Sequence, residues 1–153
     1  VRDGRSVAHS LTNIGFWDGW KGPDNWTFGQ LPEKYRTEFN LSNQSYLVLA
    51  AIQWKLTLDA LNNSRCKIAG DDLLEIRYED FVEKPIQTLK IALNFSGLRS
   101  NKEFDSHINS IKLFNNNHKW KKGLSEEQAE NLNIILNSHL NQYGYNEVQS
   151  LKP

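Results

Sequence analysis

Apolar residues recur at helical spacing over residues 42–62, where Leu47, Leu49, Ala50, Ile52, Trp54, Leu56, Leu58 and Leu61 form a broad stripe that predicts a helix. Asn62-Asn63-Ser64 ends it. A second long helix is predicted from Ser125-Glu126-Glu127-Gln128, a capping box. Ala129, Leu132, Ile135, Leu136 and Leu140 follow on one side, and Gly144 closes the helix. Pro85 suits a helical first turn ahead of Ile86, Leu89, Ala92 and Leu93, with Gly97 as the stop. Near the start, residues 1–5 read as a strand end and a turn at Asp3-Gly4. Ser6 then caps a helix bearing Val7, Ala8, Ser10, Leu11 and Ile14.

Two stretches break the helical pattern. Leu73-Leu74-Glu75-Ile76-Arg77-Tyr78 reads as a strand, followed by a turn at Glu79-Asp80. Gly15 to Phe39 is rich in Gly, Pro and Trp, shows no sustained period and reads as a long irregular loop. Strand–turn–helix units separated by helices predict an α/β layered fold, helix-rich in this stretch. Two strands do not make a stable sheet, so the remaining strands are expected upstream of Val1.

Composition narrows the class. The chain has 153 residues, 39% hydrophobic and 24% charged, enough for one domain with a real core. Eighteen basic and eighteen acidic residues cancel, which argues against a nucleic-acid partner. No apolar run is long enough to cross a bilayer, so no membrane contact is expected from this segment. Cys66 is the sole cysteine, which excludes an intrachain disulfide and a cysteine-built zinc site. His9, His107, His118 and His139 have no metal-ligand spacing, and no metal is expected. The absence of methionine, even at position 1, fits an internal fragment of a longer protein. Sequons at Asn25, Asn40, Asn43, Asn62 and Asn94 arise readily by chance in so Asn-rich a chain.

Three segments carry candidate chemistry. In Val1-Arg2-Asp3-Gly4-Arg5-Ser6-Val7-Ala8-His9-Ser10, an arginine stands where a strand ends and a serine lies one turn into the following helix. A guanidinium, a helix N-terminus and a hydroxyl together suit a phosphate, although a surface arginine with a helix-internal serine is also common. The second segment, Leu74 to Pro85, places Tyr78 at the end of the predicted strand, where ligands sit in open α/β sheets. A lone tyrosine there serves equally as a core residue with a satisfied hydroxyl. The third, His118-Lys119-Trp120-Lys121-Lys122-Gly123-Leu124-Ser125, is a short basic run with one aromatic ring, leading into the last helix.

Taken in this order, the three segments resemble sulfotransferases that use 3′-phosphoadenosine 5′-phosphosulfate (PAPS). Val1 to Ser10 is similar to the 3′-phosphate motif of that family, and of tyrosylprotein sulfotransferases in particular. The resemblance implies that Arg2 and Ser10 hold the 3′-phosphate, that Tyr78 lines the adenosine pocket, that Lys119 reaches the nucleotide phosphates and that Trp120 packs beside adenine. It implies further that residues 1–153 are the C-terminal portion of a single sulfotransferase domain with a P-loop-like, three-layer parallel sheet. The Gly-rich turn for the 5′-phosphosulfate and the catalytic base are then expected upstream of Val1, leaving the fragment alone inactive. Gly19-Trp20-Lys21-Gly22 lacks the strand and hydroxyl of such a turn, and His9, inside the motif, is not nominated as base.

The implied activity is sulfuryl transfer from PAPS to a hydroxyl or amine. The acceptor stays open among glycan, lipid, small molecule and protein tyrosine, and Phe16 to Phe39 is the candidate stretch for contacting it. A non-catalytic interaction domain of the same descent is the alternative. The implied location is cytoplasmic, or the Golgi lumen if an upstream anchor exists.

Overall fold

The computed structural model describes residues 1–145. The described chain divides into two compact units, a smaller one of Val1–Arg2 with Ser64–Asn116, and a larger one of Asp3–Asn63 with residues 117–145.

The larger unit is built from α1 (Gly4–Leu11), α2 (Glu33–Leu41), α3 (Tyr46–Arg65, of which the last two residues fall in the smaller unit), α7 (Lys119–Gly123) and α8 (Glu126–Gln142). Leu47 to Ile52 is apolar on every side, and every one of these residues is buried. A helix without a polar face belongs at the centre of its unit. α8 buries Leu132, Leu136, His139 and Leu140, a stripe one helical face wide. With Tyr35 from α2, these residues supply the most deeply buried side chains. α1 packs against α7 and α8. It also lies close to α3, because a Cβ on Gly4 would stand 2.6 Å from the Trp54 ring.

The smaller unit holds α4 (Tyr78–Glu83), α5 (Pro85–Phe95) and α6 (Lys102–Ser110), with α5 packed on both neighbours. Asn101 caps α6 through the Phe104 N–H. Lys90 of α5 pairs with Asp105 of α6 at 2.7 Å, and Arg65 pairs with Glu75.

The local signals for α5 and α8 fold as the sequence predicts. Both halves of the Ser125–Gln128 capping box form, at 3.1 and 3.0 Å. Both helices end in a left-handed glycine, Gly97 at φ 69 and Gly144 at φ 70. In each case the next N–H reaches back, Leu98 to Leu93 O at 2.8 Å and Tyr145 to Leu140 O at 2.7 Å, which answers the carbonyls a helix end leaves open.

The expected α/β fold is overturned. All regular elements among the described residues are helical, with no sheet, so neither a three-layer parallel sheet nor a P-loop-like architecture is present. The reason lies in pairing. Leu73 and Arg77 do have extended backbones (φ −129, ψ 114 and φ −81, ψ 136). Val1 bonds alongside, its ammonium donating to Ile76 O at 2.6 Å and its carbonyl accepting from the Tyr78 N–H at 2.8 Å, and no ladder is built on this pairing among the described residues. One such rung defines no strand. Past Arg77 the chain coils, so Tyr78 opens a helix instead of ending a strand.

Two further expectations change at the N-terminus. Asp3-Gly4 is no turn: Asp3 is the N-cap of α1 and Gly4 its first residue. Ser6 therefore sits inside the helix, donating to Asn117 O at 2.7 Å, and does not cap it. The stretch Gly15 to Phe39 is also less irregular than expected. It contains a 3₁₀ turn at Asp18–Lys21 and most of α2, and it buries Trp17, Trp26, Leu31 and Tyr35. Trp20 and Phe28 stay partly exposed.

Candidate functional site

The residues singled out in the sequence fall in both units. In the smaller one, the Arg2 guanidinium lies 4.4 Å from the centroid of the Tyr78 ring, a cation–π stack. The Val1–Tyr78 backbone bond fixes one end of the tyrosine, and its hydroxyl donates to Phe114 O at 3.2 Å at the other. Both side chains are half-buried, so the stack remains accessible.

Ser10, Lys119 and Trp120 belong to the larger unit. Ser10 is half-buried near the end of α1, and no described residue bonds its hydroxyl. Lys119 is exposed as the first residue of α7. Trp120 is buried, and the Arg5 guanidinium covers its ring at 4.7 Å from the centroid. The sequence left the part played by Arg5 open, and its contacts now define it. Asp3 receives Nε at 3.1 Å and Nη2 at 2.8 Å, Asn133 receives Nη1 at 3.0 Å, and the Tyr145 carbonyl receives Nη2 at 3.1 Å. Arg5 and Trp120 thus form a buried brace tying α1 to α7 and α8.

The same aspartate changes what the start of α1 can bind. Its Oδ1 accepts the Arg5 N–H at 2.9 Å, so the chain's own carboxylate fills the position expected to attract a phosphate.

A cluster in the larger unit escaped the sequence reading. Asp59 of α3 accepts from the Tyr35 hydroxyl at 2.6 Å and from Lys34 Nζ at 3.1 Å, and its other oxygen lies 2.9 Å from His139 Nε2. His139 Nδ1 is buried without a partner. The only sequence signal was a histidine within the apolar stripe of α8, since polar residues in such stripes are usually engaged. Burial tends to raise the Asp59 pKa, but hydrogen bonds from Tyr35, His139 and Lys34 outweigh it and bring the carboxyl from 3.8 to about 2. Burial, reinforced by Asp59, pushes the Tyr35 phenol upward.

The sign of the resulting pH dependence follows directly. Between pH 3.8 and about 2 the unfolded chain binds more protons at this group than the folded one. Asp59 therefore stabilises the fold fully above that window, and the contribution disappears as the pH falls through it. Denaturant midpoints measured from pH 5 downward should decline more gently in Asp59→Asn than in the parent. An unchanged slope would show that Asp59 contributes nothing to acid sensitivity.

Among the described residues no cluster of three or more His, Cys, Asp or Glu is arranged to hold a metal ion, and no helix is long and apolar enough to cross a membrane. Comparison of the chain with protein-family models, curated proteins and solved structures gives no match.

Proposed function

We propose that this chain supplies the adenosine and 3′-phosphate side of a PAPS site, and that it acts in sulfuryl transfer from PAPS to a hydroxyl or amine. The observation carrying this reading is the stack of Arg2 on Tyr78. Adenosine 3′-phosphate offers a flat base close to a dianion. An arginine resting on a tyrosine offers a fork of donors for phosphate oxygens beside a half-buried aromatic ring. Holding the guanidinium against the ring also reduces the rotamer freedom lost when phosphate binds. Trp120 is buried under Arg5 and presents no open ring face, so the adenine role that the resemblance implies for it forms no part of this reading.

In the reaction, the acceptor oxygen or nitrogen attacks sulfur in line. The bond from sulfur to the bridging phosphate oxygen breaks, and 3′-phosphoadenosine 5′-phosphate leaves. The acceptor proton passes to a base outside the residues assigned here. Such transfers depend mainly on positioning and charge stabilisation, and the role proposed for this segment is to fix the nucleotide end.

Calorimetry with 3′-phosphoadenosine 5′-phosphate on the full-length protein tests the reading. Arg2→Ala should weaken binding by about 2 kcal/mol or more, the scale of a lost charged hydrogen bond. The same substitution should leave the affinity for adenosine 5′-phosphate, which lacks the 3′ group, nearly unchanged. Equal affinity of parent and variant for the 3′-phosphorylated nucleotide would overturn the assignment.

A further inference from the structure

The larger unit carries a cavity of about 350 Å³ whose lining includes His9, Asn13, Trp20, Ser45, Tyr46 and Gln128. Its apolar side is an aromatic pair. The rings of Trp20 and Tyr46 stand 5.0 Å apart at 53°, and they remain 39% and 42% exposed. Trp20 does not hang loose: its Nε1 donates to Ile14 O at 2.8 Å, and Trp17 meets it edge-on at 5.2 Å. The indole is thus anchored while part of it stays exposed.

The lining also offers groups that both donate and accept. Among the described residues, the His9 imidazole, the Ser45 hydroxyl and the Tyr46 phenol make no protein hydrogen bond. His9 is held in place by its fit against Gly123, where any Cβ would overlap Nε2. No lysine, arginine, aspartate or glutamate lines the cavity.

We infer that this cavity binds an uncharged pyranose ring. The axial C–H bonds of such a ring form a flat apolar patch that stacks on an exposed indole. Its hydroxyls donate and accept at once, as do the imidazole and hydroxyl groups of the lining. A lining without lysine or arginine gives a phosphate or sulfate no permanent cation to bind, and one without aspartate or glutamate gives an amine no carboxylate. The volume falls in the range of ordinary ligand sites, about 300–1,000 Å³. Every residue used lies in the larger unit, so the inference does not depend on the nucleotide reading, which rests on Arg2 and Tyr78.

The test is a titration followed by amide and indole NMR. The probes are the methyl β-glycosides of glucose, galactose and N-acetylglucosamine and one β-linked disaccharide, each at millimolar concentrations. At least one glycoside should shift the Trp20 indole and the Ser45 and Tyr46 amides saturably. Trp20→Ala should weaken that response at least about tenfold, and Ser45→Ala about three- to tenfold, as expected for one lost hydrogen bond. Ser45→Ala removes only an unengaged hydroxyl, so it decides the matter if the tryptophan variant fails to fold. Three results would overturn the inference: no glycoside moving these signals, a glycoside response unaltered in Ser45→Ala, or inorganic sulfate or 3′-phosphoadenosine 5′-phosphate moving them in place of the sugars.

Discussion

Asp3→Ala should destabilise the protein by about 3–5 kcal/mol, the cost of stripping a buried charge of its partner. The Asp3 and Arg5 side chains are 10% and 8% exposed, so water cannot replace the lost carboxylate. Arg5 would keep Asn133 and the Tyr145 carbonyl but lose both bonds to Asp3, with its charge uncompensated over the Trp120 ring. The N-cap of α1 would disappear in the same step, a loss of about 1 kcal/mol. Denaturant unfolding of the variant measures the sum.

The double variant Asp3→Ala with Arg5→Met gives the diagnostic comparison. A thioether packs well on an indole, and replacing a buried ion pair with apolar groups is often close to neutral. The double variant should therefore recover much of what the single one loses. A loss below about 1 kcal/mol in Asp3→Ala would mean that the pair is solvated and that the brace does not hold α1.

That brace also marks where sequence reasoning succeeds and where it stops. Helices α5 and α8 were legible because their signals are local: a proline at the first turn, a capping box and closing glycines act within a few residues of one another. Asp3-Gly4 was ambiguous, since aspartate serves a turn and an N-cap equally and glycine tolerates both. The choice was made by Arg5, whose partners include Asn133 and Tyr145, far along the chain. Leu73 to Arg77 failed for a related reason. An extended backbone is a local property, whereas a strand exists only through a partner ladder, and the described residues supply none beyond the pairing with Val1.

The candidate site shows the same division. Arg2 and Ser10 could be named from a motif, but the contact between Arg2 and Tyr78 joins distant segments and appears only in three dimensions. Asp59, Tyr35 and His139 come from three helices with no spacing to connect them, so nothing in the sequence proposed them as a group. The aromatic stretch reads in the sequence as one irregular loop and as the candidate for contacting the acceptor. The fold divides it, putting Trp17 and Trp26 into the core and leaving Trp20 to face a cavity.

Glu38→Ala should cost about 3 kcal/mol, and more than Lys55→Met, although the two residues form one ion pair. Lys55 lies in the apolar part of α3, with its side chain 5% exposed. Its three N–H bonds are all used: Nζ meets Glu38 Oε1 at 2.8 Å, Oε2 at 2.7 Å and the Ile135 carbonyl at 3.1 Å. The Tyr35 ring lies 4.6 Å from the ammonium. Without Glu38, that charge would keep one carbonyl and a ring face, with little access to water. Glu38 itself is 33% exposed, so in Lys55→Met the carboxylate turns to solvent while methionine fills the vacated space. About 1 kcal/mol or less should then be lost. Chemical denaturation of the two variants side by side measures the asymmetry, and equal losses would show that burial of the ammonium does not set the strength of this link between α2, α3 and α8.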